Sequence, residues 1–154
     1  MTVAIAFLIG FISGLRSLTA PAVVCWAARL HWIHLENTRL AFMCSAAVTW
    51  LFSILALGEL IADKLPFTPA RTQFVGLSAR IILGALSGAA MTAAGGSSLL
   101  IGAALGAVGG VVGAFAGYKA RTGLVRKLHV PDFVIALLED AVAIGGGLLI
   151  VSRL

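Results

Sequence analysis

The chain is poor in charge. Only six of its 154 residues are acidic and 11% carry any charge, against roughly a quarter in a soluble domain. That scarcity excludes an ordinary water-soluble surface. Cysteine is nearly absent too: Cys25 and Cys44 belong to no Cys-x-x-Cys pair and no metal-like spacing. They read as small buried hydrophobes, with a disulfide between them as the open alternative. HExxH, GxSxG and Walker A motifs are missing, so zinc hydrolysis, serine hydrolysis and nucleotide hydrolysis have no recognisable machinery. No cofactor or metal is expected, and the reading leans away from an enzyme without excluding one.

In place of charge the chain offers apolar residues, 60% of the total, with a mean hydropathy of +1.08. Spanning a bilayer takes about 20 mainly apolar residues. Segments of that kind run over Val3–Trp26, Leu40–Ala62, Ile81–Ala94 (extending back toward Val75), Leu99–Tyr118 and Phe133–Val151. The expected fold is therefore all-α, a polytopic transmembrane helix bundle of about five spans forming one integral membrane domain over residues 1–154. The first segment lacks a basic n-region and a small-residue cleavage site, so it is expected to be retained rather than cleaved.

The net charge is +5 and the pI near 10. The basic residues fall mostly between apolar runs, which suits anionic lipid head groups rather than nucleic acid. With the N-terminus cytoplasmic, Lys64, Arg71, Arg80, Lys119, Arg121, Arg126 and Lys127 lie inside, against Arg29, Arg39 and Arg153 outside. Positive-inside counting thus favours that orientation, with the C-terminus outside.

An odd number of spans inverts any repeat. "GLRS" (Gly14–Ser17) matches "GYKA" (Gly117–Ala120), and "ILALGELIAD" is similar to "VIALLEDAVA". These matches suggest an inverted repeat of spans 1–2 against spans 4–5, an arrangement that places transporter sites near the midplane.

The best site candidate is Arg16, about 20 Å along its span and too deep to snorkel easily. Ser17, Thr19 and Pro21 follow it. Proline frees the carbonyl four residues back, at Ser17, so the first helix is expected to break near Leu18–Pro21. Exposed polar backbone at membrane depth survives only beside protein or a cavity. Glu59 and Asp63 share a helical face, and Glu139 and Asp140 lie inside the fifth span. Intramembrane ionisable groups are functional candidates; the competing reading is a structural ion pair of Arg16 with Glu59 or Glu139. Asp63 and Lys64 read as interfacial. Glu139 and Asp140 point about 100° apart on a helix, poor geometry for a proton-sharing dyad.

Gly102, Gly106 and Gly110 form one stripe, and Gly109, Gly113 and Gly117 a second. Small residues at four-residue steps bring helix backbones together; intramolecular packing is favoured, and a homo-oligomer face is the alternative. The Ala-Arg-Thr pairs at Arg71 and Arg121 combine a guanidinium with a hydroxyl, suited to a lipid phosphate, although topology determination is the stronger reading. "HWIH" with Glu36 lacks a third ligand at a familiar spacing and is not taken as a metal site.

The blocks "GLRSLTAPAVVCWAARL", "LGELIADKLPFTPART", "GAFAGYKARTGLVRKL" and "PDFVIALLEDAVAIGGGLLIVSRL" resemble the bacterial membrane proteins grouped as domain of unknown function family 4126. The resemblance implies a small polytopic inner-membrane protein with no assigned substrate, and carries over no catalytic residues. From the residues themselves the leading expectation is transport or permeation of a small solute or ion through a polar site at Arg16, Ser17, Thr19, Glu59, Glu139 and Asp140. The alternative is a non-transporting structural bundle that binds lipid or a partner.

Overall fold

The computed structural model describes residues 2–63, 73–129 and 131–154. It contains six α-helices and, among the described residues, no strand: α1 (Thr2–Leu15), α2 (Thr19–Arg29), α3 (Ala46–Ala62), α4 (Phe74–Ala94), α5 (Leu99–Leu128) and α6 (Asp132–Val151). A 3-10 turn at Ala41–Cys44 precedes α3. Three helices, α4, α5 and α6, are long and apolar enough to cross a membrane; α1 and α3 are shorter apolar helices. That is consistent with a membrane protein. Large apolar side chains such as Trp50, Ile54, Leu57 and Ile61 on α3 face outward, as lipid solvation allows.

Residues 3–26 form two helices, with Arg16–Leu18 between them. Pro21 has no N–H to give Ser17, and the freed Ser17 carbonyl accepts a hydrogen bond from the Ser13 hydroxyl at 3.2 Å. The chain then folds back. A Cβ on Gly147 of α6 would meet both Val23 of α2 and Ile12 of α1, at 3.4 and 3.7 Å, so α2 returns alongside the helix it came from. The result is a hairpin whose tip is Arg16–Leu18.

The reversal brings the two chain ends close together. Thr2 donates or accepts a 3.2 Å hydrogen bond with Ser97 in the α4–α5 turn. Gly95 in that turn lies against both Thr2 and Leu154. The first and last described residues therefore share one end of the bundle. The tip points toward the other end, where α3 finishes and α4 and α6 begin. The break has no counterpart at Gly117–Ala120, which lies within the uninterrupted α5.

The two glycine stripes of α5 serve different neighbours. A Cβ on Gly106 or Gly110 would strike the α4 backbone at Gly84 or Arg80, whereas one on Gly109 or Gly113 would strike α1 at Phe7 or Phe11. Backbones in direct contact maximise dispersion where lipid removes any hydrophobic drive between helices. The helices α1, α4 and α5 thus form a tight core, to which α2, α3 and α6 are added. Cys25 and Cys44 are both free thiols, and Cys25 is buried.

Candidate functional site

The tip gathers charge from three helices around the arginine of the α1–α2 turn. Arg16 is 0% exposed. Its Nη1 pairs with Asp63 at the end of α3, and its Nη2 lies 2.5 Å from Asp140 Oδ1 on α6. The Asp140 contact is an ion contact outside hydrogen-bond alignment. Among the described residues Arg16 Nε and Nη2 have no hydrogen-bond partner, and neither has Thr19 Oγ1, on a side chain that is also buried. The expected partners of Arg16, Glu59 and Glu139, are replaced by Asp63 and Asp140. The reason is helical phase: Asp63 is one turn beyond Glu59 and reaches the guanidinium, while Asp140 rather than its neighbour Glu139 turns inward.

Glu59 has a different task. Its Oε1 accepts from the Ser17 N–H at 2.8 Å and the Ser17 hydroxyl at 2.6 Å, and its Oε2 accepts from the Leu18 N–H at 2.8 Å. The N-terminus of α2 has no capping side chain of its own. A carboxylate from α3 thus satisfies orphan donors and meets the positive end of the α2 dipole. The C-terminus of α1 is treated in the opposite sense. Arg80 of α4, only 5% exposed, donates from Nε to the Gly14 carbonyl at 3.0 Å and from Nη1 to Gly76 at 2.9 Å. Its Nη2 stands 3.9 Å from Glu59. Each helix end at the tip therefore faces a charge of the favourable sign.

Sequence reading assigned Arg80 to a loop and Asp63 to the interface. Two signals were available: Arg80 sits within the apolar run "SARIILG", and Asp63 shares the face of Glu59. Ser13, which donates to Ser17 O and alternatively to Arg80 O, each at 3.2 Å, gave no such signal.

Glu139 and Arg121 do not pair with Arg16, although they line a cavity together with Leu15 beside it. Arg121 grips Asp132 with Nε and Nη2 at 2.8 and 2.5 Å, and its Nη1 is 3.8 Å from Glu139. Its fork is already occupied by a carboxylate. Arg71, the other phosphate candidate, lies outside the described residues. In the loop after α2, His31 and His34 stand 3.3 and 3.8 Å from Glu36. The Glu36 carboxyl is held below its usual range, chiefly by its own backbone N–H, with the two histidines adding.

Three features together define a class: an all-helical apolar bundle, a hairpin of two part-length helices, and a buried ion network at its tip. The chain belongs to the family described as Domain of unknown function (DUF4126), which matches residues 3–152. No curated protein and no solved structure matches it.

Proposed function

We propose that this is a small transport or permeation protein of the bacterial inner membrane, and that the α1–α2 tip is its polar site. One observation carries the reading: two helices end inside the bundle, at a fully buried arginine. Helix ends at membrane depth are tolerated where they line a polar site, and discontinuous helices supply such sites in transporters. In this arrangement α3, α4, α5 and α6 cross the bilayer while α1 and α2 enter and return. Arg80 is six residues into α4 and Asp140 eight into α6, so the tip lies roughly 9–12 Å below that face. Lys119, Arg121, Arg126 and Lys127 belong to the tip-side half of α5, and positive-inside counting makes that face cytoplasmic. Both chain ends are then outside, in place of the N-inside arrangement expected for a straight first span.

Arg16 holds the site at rest through Asp63 and Asp140. Small solutes or ions would exchange with one of these carboxylates, and Glu59 would keep α2 anchored meanwhile. The test is stopped-flow shrinkage of proteoliposomes in potassium acetate, potassium chloride and ammonium chloride. At least one salt should cross ten-fold faster than in protein-free liposomes, and Asp140→Asn should remove that excess while the protein remains monodisperse. No excess flux of any of the salts overturns the reading.

A second reading, a purely structural bundle, draws on the hydrogen bonds that already saturate Glu59. It predicts that Arg16→Gln collapses the protein, that adding Asp63→Asn and Asp140→Asn restores it, and that no variant conducts.

A further inference from the structure

A groove of about 240 Å³ lies between α2, α3 and α6. Its walls are apolar, with Ala22, Trp26, Ala56, Leu60 and Ile144 among them, and Thr19 is the residue at its tip-side end. The groove adjoins the ion network on every helix that forms it. Leu60 is three residues before Asp63 and Ile144 four after Asp140, each about one helical turn away, and Thr19 opens α2 directly after the turn that holds Arg16. Trp26 bounds the other end, held by its Nε1 donating to Ser53 Oγ at 2.9 Å. Thr19 to Trp26 covers seven residues, a length of roughly 10 Å.

Orphan donors mark the junction between groove and network. Thr19 is 3% exposed, and its hydroxyl has no partner among the described residues. Arg16 does not itself line the groove; its Nε has no hydrogen-bond partner among the described residues and its Nη2 has only the ion contact with Asp140, and these two nitrogens form the edge that makes two parallel bonds to a carboxylate. Buried donors left without acceptors cost free energy that a ligand acceptor recovers. The groove itself carries no charged side chain.

We propose that this site takes an amphiphilic monocarboxylate, a free alkyl carboxylate of medium chain length. It enters as the neutral acid and gives its proton to Asp140, so that its carboxylate replaces that of Asp140 on the Nε/Nη2 edge of Arg16 with the net charge unchanged, and it accepts from the Thr19 hydroxyl. Its alkyl chain fills the groove toward Trp26. The assignment deepens the reading of the tip as a transport site, because it names the substrate class of that site.

The probe is octanoate, titrated onto the full chain in phosphatidylcholine nanodiscs with protein-free nanodiscs subtracted. Octanoate should bind saturably and at least ten-fold tighter than acetate or octyltrimethylammonium. Thr19→Val, which removes a hydroxyl with no internal partner, should weaken octanoate five- to ten-fold with an unchanged thermal midpoint. Ala56→Leu, which fills the groove, should reduce the preference for octanoate over acetate to less than three-fold. Equal binding of octanoate and octyltrimethylammonium overturns the proposal, as does indifference to both substitutions. Octanoate binding without flux of octanoate or any salt rejects the transport reading and leaves the ligand assignment standing. Salt flux in a protein that does not bind octanoate does the reverse.

Discussion

Glu59 illustrates how one side chain determines whether a helix can end inside an apolar bundle. Its carboxylate satisfies the Ser17 and Leu18 N–H groups, which otherwise would face hydrocarbon or protein without acceptors. Glu59→Ala should destabilise the protein by about 2–3 kcal/mol, since it removes charge-assisted bonds and a cap together. Glu59→Gln, which keeps one acceptor oxygen, should lose about half of that. Thermal melts in nanodiscs would rank the two variants, and an alanine variant as stable as the parent would refute the capping role. Arg16→Gln should cost more, about 3–5 kcal/mol, because a buried cation facing two carboxylates is removed. Little of this pairing was legible beforehand. Arg16 stood out by depth, but whether Glu59 or Asp63, one turn apart on the same face, reaches it depends on how far α3 is shifted along its axis, which the sequence of α3 leaves undetermined.

Among the elements, α5 is the one most exposed to disruption by volume. Gly106 touches two neighbours at once: a Cβ on Gly10 of α1 or on Gly84 of α4 would each collide with its carbonyl. Gly106→Leu should therefore separate three helices and abolish monodisperse expression. Gly58→Leu and Gly145→Leu, at positions where an added Cβ meets nothing within 4 Å, should be tolerated. Fluorescence-detected size exclusion of the three variants makes the comparison, and a well-behaved Gly106→Leu protein would contradict the packing described. Here the sequence was more informative. The four-residue glycine spacing announced close approach in both stripes, because small residues permit backbone contact whatever the partner. Which stripe meets α1 and which meets α4 required the folded chain.

For the whole molecule, the consequence of the hairpin is that both chain ends share one face. A Thr2→Cys, Ser97→Cys protein, with Cys25 and Cys44 changed to Ala, should form an internal disulfide on mild oxidation, since the native hydroxyls stand 3.2 Å apart. In intact cells, single cysteines at positions 2 and 154 should label equally with an impermeant maleimide. Labelling of one and protection of the other would restore the straight first span.

Composition and pattern by themselves determined that the chain is helical and apolar and that glycines bring α5 against its neighbours. Those are properties of single residues and of helical periodicity, and both are local. Only the tertiary structure decided that α2 turns back, that Asp63 and Asp140 rather than Glu59 and Glu139 meet Arg16, and that Arg80 closes the end of α1. Each of those outcomes joins residues far apart in the chain, and their relative phase is set by how the helices pack.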